Sequence, residues 1–213
     1  LGDAAVQPSS VIRGQNGRSK TGSKPLVKPL FTVSHMTVIL ACRYCFAEEG
    51  EYHGRRALMS FETGKKALDF LIANSGNRRN LEVDFFGGEP LMNWQVVKRP
   101  RSYGREQEKI HNKNFRFTLT TNGVLLNDEI MEFANKEMGN VVLSIDGRKE
   151  VHDHMRPFRK GAGSYDLIVP KFQKFAEKRG DRDYFVRWYL HTQQPGFWQR
   201  CSAFCRSWIQ ENV

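Results

Sequence analysis

The sequence predicts an α/β fold, a partial (β/α) barrel that is truncated after about the fourth strand. Short apolar runs at 81–86, 115–121, 140–145 and 184–187 have the length and composition of buried strands. Amphipathic stretches with the helical period separate these runs. A helix between two strands carries the chain back to the end of the sheet at which the first strand began. The alternation therefore predicts parallel strands with helical crossovers.

Capping residues place the helices between the strands. Ser60, Asn127 and Ser164 each precede an amphipathic stretch, and the stretch after Ser164 ends near Lys178. A more polar helix is expected from about Trp94 to His111. Pro100 should interrupt it, because proline lacks the N–H that continues a helix.

The chain divides into three segments of different composition. Residues 1–29 are rich in Gly, Ser, Lys and Pro without a periodic pattern, which indicates a disordered or abnormal segment. Residues 30–187 carry the strand and helix patterns and form the predicted core. Residues 188–213 hold Trp188, Trp198 and Trp208 but no clean periodicity, so we expect an aberrant tail.

Composition narrows the function classes. The net charge is +10, but basic and acidic residues are interspersed through the core, so a nucleic acid is not the expected partner. No apolar run is long enough to span a bilayer, and the first residues lack the order of a secretory signal. We therefore expect a cytoplasmic protein without a membrane partner.

The four cysteines form two close pairs, Cys42 with Cys45 and Cys201 with Cys205. The pairs are too few and too local for a secreted disulfide framework. The first pair can supply zinc ligands, a redox dithiol or two ligands of an iron–sulfur cluster. Small buried apolar residues are the fourth interpretation, and the spacing alone leaves all four open.

Polar motifs follow the predicted strands. They are Phe-Gly-Gly-Glu-Pro at 86–90, Thr-Asn-Gly at 121–123, Ser-Ile-Asp-Gly at 144–147 and His-Asp-His-Met-Arg-Pro at 152–157. Carboxyl ends of parallel strands meet at one edge, so these groups should line a common site, although each motif alone is equally typical of a turn. The two glycines of the first motif should let a ligand approach the backbone and leave Glu89 free to accept from an ammonium group.

Together with Cys-x-x-Cys-Phe-Ala at 42–47, these motifs resemble in type and order the radical S-adenosylmethionine (SAM) enzymes with SPASM-type C-terminal extensions. Within that group, 46–54 and 56–61 resemble the maturases of six-cysteine SCIFF peptides, and the similarity covers roughly 42–187. It implies an enzyme that reductively cleaves SAM to a 5′-deoxyadenosyl radical and forms thioethers in a cysteine-rich precursor peptide. An anaerobic sulfatase-type maturase, which makes formylglycine, shares the barrel motifs and stays an alternative.

The resemblance also implies cofactors and site residues. A [4Fe-4S] cluster would be bound by Cys42 and Cys45, and an electron donor such as ferredoxin or flavodoxin would reduce it. The methionine ammonium of SAM would meet the glycine–glutamate turn, its carboxylate Arg156, and its ribose the ends of the next strands. No catalytic base is assigned. The residues that the resemblance assigns to SAM are Tyr44, Gly87, Gly88, Glu89, Pro90, Asn122, Ser144 and Arg156.

Val38 departs from the family pattern, which has a further cysteine four positions before Cys42. Valine has no lone pair for iron, so an inactive, cluster-poor fragment is a second alternative. A shifted reading frame within 36–39 can encode Asp-Cys-Asn, and a shift at Trp188 can encode a strand-like continuation. We therefore expect the departures, with Lys98–Arg101 as a further one, to be frame errors.

Overall fold

The computed structural model describes residues 30–32, 34–35, 38–45 and 57–187. The interpretations given for 1–29, for 188–213 and for the second cysteine pair lie outside the described residues.

A parallel sheet forms the centre of the fold. In the described residues the strands are β1 (Leu30–Thr32), β2 (Ser34–His35), β3 (Ala57–Leu58), β4 (Asn80–Phe86), β5 (Asn114–Thr121), β6 (Asn140–Ser144) and β7 (Tyr184–Arg187). The sheet has five parallel strands in the order β1-β4-β5-β6-β7, and β2 pairs with β3 in a separate antiparallel ribbon. The strands of this sheet follow chain order, as expected when each crossover adds the next strand alongside the last, and the short ribbon of β2 and β3 lies between β1 and β4 in the sequence.

Helices connect the strands. They are α1 (Phe61–Ala73), a 3-10 helix (Pro90–Asn93), α2 (Trp94–His111), α3 (Asp128–Glu137), α4 (Lys149–Met155) and α5 (Tyr165–Arg179). Ser60 and Asn127 accept hydrogen bonds from the first turns of α1 and α3, as their sequence positions predict. In the part of the chain that the structure describes, no helix has the length and apolar character to cross a membrane.

The two faces of the sheet differ in character. Alternate side chains such as Val83, Phe117 and Val141 are fully buried on the face that the helices cover. Phe85 and Phe117 stack on this face with ring centroids 5.8 Å apart. The opposite face is called the inner face below. Its side chains are Glu82, Asp84 and Phe86 of β4, Arg116, Thr118 and Thr120 of β5, Asn140, Val142 and Ser144 of β6, and Phe185 and Arg187 of β7.

The predicted partial barrel is confirmed, including the strands near 81–86, 115–121, 140–145 and 184–187. The sequence did not predict β1, β2, β3 or α4. These three strands have only two or three residues each, too few for a period to be read. α4 has seven residues, and a helix of that length forms through tertiary contacts rather than through its own propensity.

The expected interruption at Pro100 is wrong, because α2 continues through this residue to His111. Pro100 is buried against α1, where a methyl group added at Gly64 would lie 3.0 Å from the proline Cγ. Proline inside a helix costs about 3 kcal/mol through the lost hydrogen bond and ring clash. Close packing of the ring against α1 offsets that cost, and the sequence alone does not show this contact.

Candidate active site

The cysteine loop, residues 40–45, is fixed to the chain that follows α4. Ala41 N–H donates to the carbonyl of Pro157 at 2.8 Å, and Arg43 N–H donates to the carbonyl of Met155 at 3.0 Å. Leu40 forms a bridge with Phe158. These backbone bonds bring together two motifs that lie more than a hundred residues apart in the sequence.

Cys42 and Cys45 are half-buried free thiols on one turn of this loop. Cys45 N–H donates to the carbonyl of Cys42 at 3.0 Å, which closes the turn. Burial raises the pKa of the Cys42 thiol, although the positive charge of Arg156 opposes this shift. Cys42 is therefore a weaker nucleophile in this state than an exposed thiol.

A buried carboxylate connects the cysteine loop to the motif at 152–157. Tyr44 Oη donates to Asp146 Oδ2 at 2.7 Å, and Arg156 Nε donates to the same oxygen at 2.9 Å. The Arg156 guanidinium also lies 5.3 Å from the centroid of the Tyr44 ring. The side chains of Arg156 and Asp146 are only 6% and 1% exposed, so their ion pair is screened little by water. Burial raises the pKa of Tyr44, which keeps its proton available for Asp146.

His152 joins three segments behind this ion pair. Its Nδ1 accepts from Asp146 N–H at 3.2 Å, and its Nε2 lies 3.0 Å from Ser164 Oγ. Because the Ser164 hydroxyl donates to the carbonyl of Arg156 at 2.7 Å, Nε2 carries the imidazole proton. Burial lowers the pKa of His152 to about 4, so the ring is neutral at pH 7. Ser164 occupies the N-cap position of α5, as predicted, but its side chain makes no capping bond, and Tyr165 N–H donates to Asp153 instead, at 2.8 Å.

Glu89 connects the ends of β4 and β5. Its Oε1 accepts from Leu91 N–H at 3.1 Å and from the Thr121 hydroxyl at 2.8 Å, and its Oε2 accepts from Asn122 N–H at 2.7 Å. The side chain is 0% exposed, and this burial raises its pKa to about 7 although its three donors favour the charged form. The expectation that this carboxylate stands free for an ammonium group is therefore not met: protein donors already surround it.

The turn before Glu89 keeps the backbone open at the carboxyl edge of the sheet. Gly87 and Gly88 have φ of 86° and 60°, a region where side chains are strained. Gly87 is buried and Gly88 is exposed, while Pro90 is buried at the start of the 3-10 helix. Main-chain groups of Gly88 are therefore the accessible part of this motif.

Two further predicted residues lie at the same edge. Asn122 Oδ1 accepts from Val124 N–H at 3.0 Å, which is an Asx turn. Ser144 ends β6, is buried, and lies in register with Arg187. Sequence reasoning missed Asp146, His152, Ser164 and Arg187 as parts of this site. Asp146 and His152 lie inside the motifs at 144–147 and 152–157, and this position could have indicated that they belong to the site.

The described residues supply only part of a cluster site. Cys42 and Cys45 are thiol donors, but Val38 stands four positions before Cys42 and offers no donor atom. Among residues 38–45 and 57–187, no group of three or more Cys, His, Asp or Glu side chains is arranged to bind a metal. The donor set of the described residues thus does not fit a cluster that requires three thiolates.

Comparison with known proteins identifies the family. A family model described as the radical SAM superfamily matches residues 39–192. The chain is 33% identical over 158 residues to a serine-type anaerobic sulfatase-maturating enzyme of Bacteroides thetaiotaomicron, covering 69% of this chain and 36% of that protein. It is 26% identical over 122 residues to the radical SAM cyclopropyl synthase TigE of Paramaledivibacter caminithermalis, covering 52% and 25%. The chain spans 25–40% of the length of these and the other curated relatives it matches.

Solved structures agree on the fold. Native anSMEcpe with bound AdoMet superimposes with a TM-score of 0.65 at 21% identity, covering 76% of this chain and 43% of that one. The same enzyme with bound AdoMet and the Kp18Cys peptide gives 0.65 at 20% identity, with the same coverage. The chain therefore belongs to the radical SAM superfamily of enzymes, which use a [4Fe-4S] cluster and SAM.

Proposed function

We propose that this protein acts as a radical SAM peptide maturase that forms thioethers in a cysteine-rich precursor peptide. The observation that carries the proposal is the convergence of the cysteine loop, the Asp146–Arg156 pair and the Gly87–Gly88 turn at one edge of the sheet. Similar structures that contain both bound AdoMet and a bound peptide support a peptide substrate.

Each part of this edge has a proposed role in binding SAM. Main-chain groups of the Gly87–Pro90 turn meet the methionine ammonium, because the Glu89 carboxylate is already occupied. Arg156 meets the methionine carboxylate with the guanidinium nitrogens other than Nε, which Asp146 orients. The Tyr44 ring packs against the face of the Arg156 guanidinium, and Asn122 and Ser144 lie towards the ribose.

The reaction replaces a carbon–hydrogen and a sulfur–hydrogen bond by one carbon–sulfur bond. When bound, SAM and a reduced cluster would supply the removal of a hydrogen atom from carbon, with release of methionine and 5′-deoxyadenosine. The thiol proton would pass to solvent, and the electron released as the carbon–sulfur bond forms would return to an iron–sulfur cluster, so that the electron from a ferredoxin or flavodoxin that starts the cycle is not consumed. Residues at the carboxyl edge orient the reactants and exclude water.

A sulfatase-type maturase is a second candidate, favoured by relatives of both the serine and cysteine type. Product chemistry separates the two reactions on one cysteine-containing peptide. Thioether formation consumes a thiol, so the peptide loses its reaction with iodoacetamide. It creates no aldehyde, so the product does not react with hydrazide. Formylglycine formation creates an aldehyde that hydrazide labels. A hydrazide-positive product would replace the proposed reaction by the second one.

A cluster-poor relative without activity is the third candidate, favoured by Val38. The Val38→Cys variant tests it: after anaerobic reconstitution we expect it to bind more iron than the parent chain and to show cluster absorbance. Ile39→Cys is the matched control, because it adds a thiol one position out of register. Equal iron binding by all three chains would contradict Val38 as the missing position.

Sequencing the encoding DNA around codons 36–41 tests the origin of Val38. A cysteine codon recovered at position 38 would show that the departure is a reading-frame error. An unchanged valine codon would make the cluster-poor form the natural one.

A further inference from the structure

Side chains of the inner face lie in rows across the sheet, because its parallel strands are in register. Asp84 of β4 pairs with Thr118 of β5, and Thr118 pairs with Asn140 of β6. These three residues are called the middle row. The row towards the amino ends contains Glu82 and Arg116, and the row towards the carboxyl ends contains Thr120, Val142 and Phe185.

The middle row is polar where a closed barrel is filled by bulky branched side chains. Asn140 and Thr118 are 7% and 8% exposed, and Asp84 is half-buried. Polar side chains at such depth are normally satisfied by hydrogen bonds inside the protein. Asn140 of the middle row is an exception.

Asn140 Oδ1 is buried and has no hydrogen-bond partner in the described structure. Strand alternation directs this side chain to the inner face, since its neighbour Val141 is fully buried on the helix-covered face. The Asp84 carboxylate also receives no hydrogen bond from a described residue, although it has four acceptor sites. Unfilled acceptors of two side chains therefore occur in one row.

The charges nearest to the middle row are already paired. Below it, Arg116 lies 3.9 Å from Glu82 and 2.8 Å from Asp183. Above it, the Arg187 guanidinium of β7 lies 5.5 Å from the Phe86 ring of β4. This contact joins strands that are separated by two others, so the sheet curves around its inner face. The middle row is left as a concave set of acceptors with one carboxylate that has no partner charge among residues 38–45 and 57–187.

We propose that the middle row binds a cationic side chain of the peptide substrate, through the Asp84 carboxylate and Asn140 Oδ1. A guanidinium or an ammonium group matches this acceptor set, because both donate several hydrogen bonds and accept none. Neighbouring strands are about 4.8 Å apart, so a planar guanidinium above Thr118 reaches towards both outer residues. This assignment rests on the proposed function only in taking the bound group to be part of a peptide.

Binding of small cations to the whole chain tests the proposal. Nitrogen-15-labelled protein is titrated with methylguanidinium and, separately, with methylammonium, while the side-chain amide signal of Asn140 is followed by NMR. Saturable shifts with at least one of the two cations are expected, and the stronger one identifies arginine or lysine as the preferred side chain. Asp84→Asn should weaken binding by about tenfold or more, because a charge-assisted hydrogen bond is lost.

Glu82→Gln is the matched control, because it removes a carboxylate from the same strand and face, but one that is paired with Arg116. Its affinity for the cation should stay within about threefold of the parent value. Asn140→Leu removes the unfilled acceptor, and cation binding to this variant is followed through the backbone amide signal of Thr118. It should lose the affinity while its melting temperature stays level or rises, since a buried unpaired group is removed.

Failure of this inference is distinguishable from failure of the proposed function. Absence of saturable shifts, or equal weakening by Asp84→Asn and Glu82→Gln, would overturn the middle-row site whatever peptide product forms. Saturable, Asp84-dependent binding would uphold the site even if no thioether product were detected.

Discussion

Two buried arginines at opposite edges of the sheet are satisfied in different ways. Arg179, at the amino edge, donates to the main-chain carbonyls of Ala134, Met138 and Asp183 at 2.7–3.0 Å. Arg156, at the carboxyl edge, depends on one carboxylate, Asp146, which lies in a different motif.

This difference indicates a structural role for Arg179 and a functional role for Arg156. Main-chain carbonyls hold Arg179 whatever side chains surround it, which suits a structural anchor between α5 and the loops that precede β6 and β7. The Asp146–Arg156 pair responds to the cysteine loop through Tyr44, which suits a site that must be assembled from several motifs. In barrels of this kind the carboxyl edge carries function and the amino edge stability.

The largest expected effect is the loss of Arg156. Arg156→Met leaves the Asp146 carboxylate buried without its partner charge, so we expect a loss of about 3–5 kcal/mol in unfolding free energy. Urea denaturation followed by circular dichroism measures it. The double variant Arg156→Met, Asp146→Leu should recover part of the loss, because no unpaired charge is then left. A double variant less stable than Arg156→Met would contradict this account.

Arg179→Met should cost slightly less, about 3–4 kcal/mol, because three carbonyls lose a donor but no charge is left unpaired. This variant sharpens the comparison through a second measurement, the rate of Cys42 alkylation determined by peptide mass spectrometry. Arg156→Met should slow alkylation under native conditions, because loss of the Arg156 charge raises the pKa of Cys42 further, whereas Arg179→Met should not. Equal slowing by both variants would mean that the two edges are not independent.

The raised pKa of Glu89 predicts that the unfolding free energy depends on pH. Its folded pKa of about 7 lies above the ordinary 4.5, so the folded state holds the extra proton between these values. The contribution of Glu89 to the unfolding free energy is fully present below pH 4.5 and is lost as pH rises to 7, by up to about 3 kcal/mol.

His152, whose pKa is lowered to about 4, has the opposite effect: it lowers the unfolding free energy as pH falls from 6.5 to 4.

Glu89→Gln isolates the carboxylate contribution, because glutamine does not titrate. Unfolding free energies of both chains are compared from pH 4.5 to pH 7.5. The parent should lose stability relative to the variant as pH rises, and a constant difference between the two would show that Glu89 keeps an ordinary pKa.

Tyr44→Phe should have the smallest effect, about 1–2 kcal/mol, because it removes one hydrogen bond to a carboxylate and keeps the ring under Arg156. Its influence on Cys42 alkylation should nevertheless exceed that of Arg179→Met. Thermal unfolding and the alkylation rate measure the two effects, and a stability loss without a change in the alkylation rate would break the proposed link between Tyr44 and the cysteine loop.

Local patterns were sufficient to predict much of this fold. Ser60 and Asn127 cap their helices as expected because capping depends on neighbouring backbone N–H groups. The strands near 81–86 and 115–121 are evident because both bury alternate apolar residues. Pro100 was misjudged because its packing partner, Gly64, lies on another helix.

The candidate site could be predicted only in part. The motifs show which strand ends carry polar groups, since parallel strands bring those ends to one edge. They do not show how the groups pair: Glu89 was expected to be free and is surrounded by donors from β5 and the turn that follows it. Ser164 precedes α5 as predicted, but its hydroxyl donates to the backbone of Arg156 rather than accepting from the first turn of the helix.

The sequence by itself determined the order of the longer strands and helices, the edge at which the motifs meet and the family, because these follow from periodicity and from residues close together in the chain. Only the tertiary structure decided the partners of Asp146, Glu89 and His152, and the polar middle row of Asp84, Thr118 and Asn140. Those contacts join residues from different strands and loops. Their distances and burial depend on how the whole sheet curves and packs, which no local pattern encodes.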